Sequence, residues 1–179
     1  MNRIGRLLLA LVAMAGLVLA GCSSEGSNDP GAASGMSVDI QKIGVQSTLA
    51  PMGLNPDKTI QTPSLDEVQQ AGYFTEGPKP GDVGPAVIVG HINGKGKQGV
   101  FARLDELKAG DKVTVTRDGK PLTFTVKRTQ TVEKNKFPTA EVYSDTKDAE
   151  LRLITCGGDL DRSAHSYKSN VIAFATLDA

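Results

Sequence analysis

The chain has no tryptophan, three tyrosines and five phenylalanines among 179 residues. So few aromatics leave no stacking platform for bases, and acidic and basic residues balance at 20 each, which removes the positive face that nucleic acid requires. Only two cysteines and two histidines are present. They show no Cys-x-x-Cys or His-x-x-x-His spacing, so no metal site is expected, and no motif calls for a cofactor. No apolar run reaches the roughly 20 residues of a comfortable bilayer span. No internal repeat is visible. The scarcity of thiols and imidazoles concentrates attention on Cys22, His91, Cys156 and His165.

Cys22 has an explanation of its own. Arg3 and Arg6 form a basic start, and residues 7–20 are apolar and uncharged. That is the pattern of a secretory signal. It ends in Leu19-Ala20-Gly21-Cys22, which resembles a bacterial lipobox, whose cysteine is acylated and becomes the mature N-terminus. Residues 1–22 are therefore expected to be a lipoprotein signal. Residues 23–36 are mostly Ser, Gly, Asn, Ala and Asp, with one Glu and one Pro and no large apolar side chain before Met36, the composition of a flexible linker. Each methylene of an acyl chain buried in lipid adds about 0.8 kcal/mol, so two chains would hold the protein on the outer face of the cytoplasmic membrane. Lipidation would also take Cys22 out of disulfide chemistry and leave Cys156 a free thiol.

Residues 37–179 suffice for one domain and not for two. Alternation and turn signals give strands at 37–45, 86–89, 112–117, 122–131, 150–155 and 171–177. Asp118-Gly119 makes a hairpin of the third and fourth. Residues 86–89 (Ala-Val-Ile-Val) read as a strand buried on both faces. Helical signals are short: Ser64 with Glu67 three residues on has the form of a capping box, and residues 100–107 suit one turn. An all-β domain follows, a closed barrel or a sandwich with one or two short helices. Residues 132–147 carry no readable motif, and Tyr73 and Phe74 could serve either a groove or the core.

Cys156 ends the apolar run Leu151-Arg152-Leu153-Ile154-Thr155 and opens onto Gly157-Gly158-Asp159. An exported free thiol is a candidate nucleophile. Its thiolate needs a nearby imidazole, which can also protonate a leaving amine. His91, directly after the buried strand in Val89-Gly90-His91, is the candidate partner; His165 lies in a polar stretch and reads as a loop residue. Acyl transfer further needs donors at the developing oxyanion. Arginine suits that task, and Arg162 is the only arginine after Cys156.

Together Val-Gly-His after one strand and Leu153-Ile154-Thr155-Cys156 on another resemble the sortases. Residues 40–45 (Ile-Gln-Lys-Ile-Gly-Val), 84–91, 156–161 and 167–172 (Tyr-Lys-Ser-Asn-Val-Ile) extend the likeness, which is most similar to the actinobacterial class F members. The resemblance implies an eight-stranded β-barrel and a cysteine transpeptidase of Gram-positive cell surfaces. Cys156 would attack the Thr–Gly bond of an LPXTG-like sorting signal on a surface protein, giving a thioacyl enzyme. His91 would act as acid and then base, and an amine of peptidoglycan or pilin would resolve the intermediate. An arginine would serve the oxyanion. In sortases it starts the last strand, where Ser169 and Asn170 stand here, so Arg162 is the substitute and Asn170 its alternative. The lipobox also departs from the usual uncleaved anchor helix. Asn93 would orient His91 or simply make a turn. An L,D-transpeptidase is disfavoured because Ile154-Thr155 precede Cys156 where that family has histidine and glycine. A lipoprotein that keeps the barrel and binds an envelope component without turnover stays open.

Overall fold

The computed structural model describes residues 35–179. The expected signal, Cys22 and all but the end of the expected linker lie outside the described residues. Ten strands and one short helix follow: β1 (Met36–Ile40), β2 (Val45–Met52), β3 (Ala71–Phe74), β4 (Gly84–Gly90), β5 (Asn93–Gly94), β6 (Lys97–Gln98), β7 (Lys112–Arg117), β8 (Lys120–Glu133), α1 (Thr139–Tyr143), β9 (Ala149–Asp161) and β10 (Ser166–Leu177). Eight of them close a barrel in the order β1-β2-β3-β4-β9-β10-β8-β7, with β1 paired to β7. Strands β5 and β6 form a separate small hairpin. The all-β expectation is resolved as a closed barrel, with one α-helix and a few 3-10 turns.

Alternation along the strands builds two apolar layers. Val38, Ile40, Ala86, Ile88, Val113, Val115, Phe124, Val126, Leu151, Leu153, Val171 and Ala173 point inward and fill the barrel. Their strand neighbours Val87, Val89, Ile154, Ile172 and Phe174 point outward. The outward set would face water, but Val142 of α1 seals it together with Met52, Ile60, Phe74, Val132 and Phe137. This explains why β4 is buried at every position: it is flanked by parallel β9 and covered on both faces.

Three readings from sequence change. Residues 37–45 are not one strand, because a 3-10 turn at Gln41–Ile43, closed by Gly44 at φ 70°, folds β2 back on β1. Residues 132–147 are more than a loop, since α1 lies there. Most important, Cys156 is not at a strand end. Strand β9 continues to Asp161, and β10 begins at Ser166, so the two form a long hairpin that carries the cysteine in its middle. The apolar pattern stops at Thr155 because the hairpin leaves the barrel there, not because the strand ends.

The cover is fastened by charge. Arg152 on β9 is 3% exposed, and its guanidinium meets Glu150 Oε2 at 2.5 Å and donates to the carbonyl of Glu141 in α1. Arg128 bonds the Glu141 carboxylate at 2.5 Å. The two guanidinium carbons stack on Phe174 at 4.7 and 3.6 Å respectively. Fork-shaped, always-charged side chains suit such a sandwich, and it ties α1 to the outer face of β8, β9 and β10.

Candidate active site

The site follows from two ladders that meet on β9. Parallel pairing of β4 with β9 runs to Val89↔Ile154. Two residues further on each strand come His91 and Cys156, so they leave adjacent strands at the same level. Alternation gives both the outward face, continuing Val87 and Val89 on one strand and Ile154 on the other. Antiparallel pairing then sets Asn170 of β10 directly opposite Cys156. Directly opposite residues of an antiparallel pair share a face, so Cys156 and Asn170 do. Cys156 is a free, half-buried thiol.

Glycine 90 sets the close approach at this level. A Cβ there would lie 2.5 Å from Val100 Cγ1 and 2.7 Å from Phe101 Cδ2, inside the barrel. The missing side chain lets the segment after the β5–β6 hairpin pack under His91. The His91 carbonyl accepts from the Phe101 amide at 3.0 Å, and its Nε2 lies 2.7 Å from the carbonyl of Pro63. Asn93 does not hold the imidazole; its amide donates to the Tyr167 hydroxyl at 2.5 Å and links the β5–β6 hairpin to β10.

Beyond Cys156 the β9–β10 ladder jumps from Asn170↔Cys156 and Ser169↔Gly157 to Tyr167↔Leu160. Gly158 and Asp159 both oppose Lys168, a β-bulge in β9 with Gly158 in the left-handed region at φ 70°. Because β10 itself is regular there, Lys168 keeps the face of Asn170 and hence of Cys156. Lys168 is exposed and makes no hydrogen bond or salt bridge among the described residues, though its charge helps lower Asp161; with Gly158, Asp159, Asp161 and Ser169 it borders a cavity of about 690 Å³. Arg162 lies elsewhere, in the turn between β9 and β10 past the last pair Asp161↔Ser166. Asp161 is five positions along β9 from Cys156, on the order of 15 Å of extended chain. Neither Asp159 nor Asp161 pairs with Arg162. Instead the Asp161 carboxylate accepts from the Ser163 hydroxyl at 2.6 Å and from two turn amides, which hold it below the usual carboxylate range. His165 is in the same turn, at φ 49°, away from the cysteine's level.

An apolar groove of about 530 Å³ opens on the same outer face. Leu54, Ile60, Phe74, Phe137 and Tyr143 line it, and burial raises the Tyr143 hydroxyl above its ordinary pKa. Its Ile60, Phe74 and Phe137 pack against the layer that contains Val89 and Ile154, the residues two positions before His91 and Cys156. Phe74 thus belongs to the groove, whereas Tyr73 packs against the barrel core. Sequence reading did not single out Lys168 or Pro63, and of the groove lining it weighed only Phe74.

A closed β-barrel with a free thiol and an imidazole level on neighbouring strands, and an open groove packed on the same outer layer, has the arrangement of a cysteine acyl-transfer protein. The model of the sortase domain matches residues 38–178, and the chain belongs to the sortase family, whose members are cysteine transpeptidases acting on sorting-signal substrates. Among solved structures the chain is similar to a sortase D5 transpeptidase of Clostridium perfringens, at 22% identity and a TM-score of 0.60 over 80% of this chain and 78% of that one. It is similar to sortase A of Listeria monocytogenes at 22% identity and 0.60, covering 82% and 88%. A lid mutant of Corynebacterium diphtheriae sortase A gives 20% and 0.63, covering 82% and 70%. At these identities the likeness is one of fold. No curated protein matches the chain.

Proposed function

We propose that this chain is a membrane-tethered sortase that cleaves an LPXTG-like sorting signal and passes the acyl group to an amine. The observation that carries this reading is the common level and face of His91 and Cys156; an apolar groove whose Ile60, Phe74 and Phe137 pack on that outer layer offers room for an extended apolar peptide. The Cys156 thiolate attacks the threonine carbonyl carbon. The carbon–nitrogen bond to glycine breaks, and the departing amine takes a proton from His91. An incoming amine of peptidoglycan or pilin then attacks the thioester carbonyl and gives its proton to His91, and the thiolate leaves. One acyl bond is exchanged for another, with no net redox change.

The oxyanion needs donors close to the sulfur, and position on the sheet favours β10 over the turn. Asn170 opposite Cys156 and Lys168 one alternation further fill that role better than Arg162, the arginine expected from sequence. A flexible ammonium can reach the diagonal neighbour, whereas a guanidinium in the turn starts too far away. Within the family the Val-Gly-His and Thr-Cys-Gly-Gly segments favour class F. The lipobox favours a lipid anchor at Cys22 and action on the outer face of the cytoplasmic membrane.

The test incubates the full chain in detergent, with reduced thiol, an LPXTG-type peptide and an amine, beside Cys156→Ala and His91→Ala. Mass spectrometry should find the thioacyl adduct on the parent alone. A parent that binds the peptide without adduct or cleavage would replace this reading with binding without turnover. An N-terminus other than acylated Cys22 in protein from its native membrane would remove the lipid anchor.

A further inference from the structure

We infer that the backbone carbonyl of Pro63 is a positioning group for His91, fixing its neutral tautomer with the proton on Nε2 and leaving Nδ1 as the nitrogen that exchanges protons in the reaction. The inference rests on the transpeptidase reading for its chemistry, but its geometry is independent of it. A carbonyl oxygen only accepts. At 2.7 Å from Pro63, Nε2 must therefore carry a hydrogen whether the ring is neutral or charged. Nδ1 has no hydrogen-bond partner among the described residues. Which nitrogen of a histidine works is set by the bond that the other makes.

The acceptor is built to stay in place. Pro63 is buried, and its ring removes one backbone freedom. Ser64 follows it as the cap of a 3-10 turn, its hydroxyl accepting from the Asp66 amide at 3.2 Å. That turn is docked on the hairpin that follows His91. The Val100 amide donates to the Val68 carbonyl at 2.8 Å, Gln69 Nε2 donates to the Gln98 carbonyl at 2.5 Å, and Lys95 pairs with Asp66. Close packing seals the joint: a Cβ on Gly94 would meet Val68 Cγ1 at 2.6 Å, and one on Gly99 would meet the His91 carbonyl oxygen at 2.2 Å. Donor and acceptor of the imidazole bond thus sit on one locally closed unit. Upstream of Pro63 the same segment supplies Leu54 and Ile60 to the groove, bridged as a Leu54↔Ile60 pair. The residue that holds the imidazole is therefore continuous in chain with the groove wall.

The experiment reads the tautomer directly. Full-length chain labelled with ¹⁵N-histidine is titrated to the neutral imidazole, and long-range proton–nitrogen spectra identify the protonated nitrogen, with His91→Gln assigning the two histidines. The expected result is an Nε2–H pattern for His91 beside an averaged pattern for His165. An Nδ1–H or averaged pattern for His91 would overturn the proposal, with or without turnover, so the outcome is separate from that of the peptide assay. As a second arm, Pro63→Gly keeps the carbonyl but frees the backbone. It should lower kcat about tenfold with KM little changed, and shift His91 toward the averaged pattern. A lowered kcat with the Nε2–H pattern fully retained would overturn the tautomer as the route by which Pro63 acts.

Discussion

Asn170 stands directly opposite Cys156 on the β9–β10 ladder, and Lys168 is its neighbour on the same face, beside a bulge that only β9 carries. That relationship predicts an order of effects. Lys168→Ala should lower kcat/KM by about 10²-fold or more, the scale for losing an oxyanion donor. Lys168→Arg should keep most of the activity, Asn170→Ala should fall between, and Arg162→Ala should stay near the parent. Steady-state kinetics on the LPXTG-type peptide checks the series. A large loss in Arg162→Ala with none in Lys168→Ala would return the role to the turn.

The covering helix depends on Arg152. Its guanidinium serves Glu150, the Glu141 carbonyl and the Phe174 ring at once, and is itself buried while Glu150 is partly exposed. Arg152→Ala strands Glu150 and opens a gap, at a cost of about 2–4 kcal/mol. Arg152→Met, which keeps the volume, should cost less. Urea denaturation of the two variants measures the difference, and equal losses would show that charge pairing is the whole effect.

Glycine 90 is expected to tolerate no side chain. In Gly90→Ala the new methyl meets Val100 and Phe101 inside the barrel. Overpacking of this kind costs about 1–3 kcal/mol. Because His91 is the next residue, the thioacyl yield should fall along with the thermal midpoint, and a variant with parental Tm and yield would contradict the packing.

Acid should loosen the hairpin turn. Asp161 is held below its ordinary value of 3.8, first by the Ser163 hydroxyl and then by the Ala164 and Ser163 amides. A depressed carboxylate contributes stability above its unfolded pKa and loses that contribution as pH falls through the folded one. The Ser163 and Ala164 amide signals should therefore shift together below about pH 3.8, and Asp161→Asn should abolish that step. Shifts that begin well above this range would assign the turn's acid response to another group.

Much of the barrel was legible from alternation. Residues 86–89 announced a strand covered on both faces, and 112–131 a hairpin, because in both cases one pattern serves one burial demand. Strand β2 was not legible: its Ala50-Pro51-Met52 end pairs with β3 at a sheet position where only Leu49 is fully buried. The second half of β9 was hidden too, since its side chains leave the core at Cys156 and glycines replace the apolar rhythm. Likewise α1 gave no clear period, because Val142 is its only buried residue.

For the candidate site the division is similar. Residue chemistry alone singled out Cys156 and His91, since reactive side chains are so few in this chain that each demanded an explanation. The proposed cation, the acceptor beside the imidazole and the groove wall become visible only in three dimensions. Lys168 reaches Cys156's face through strand pairing and a bulge, and Pro63 meets His91 across 28 positions of chain. Such contacts depend on register between distant segments, and register is settled by which face each strand must bury. A lone sequence shows the side chains available for chemistry; closing the barrel determines which of them face one another.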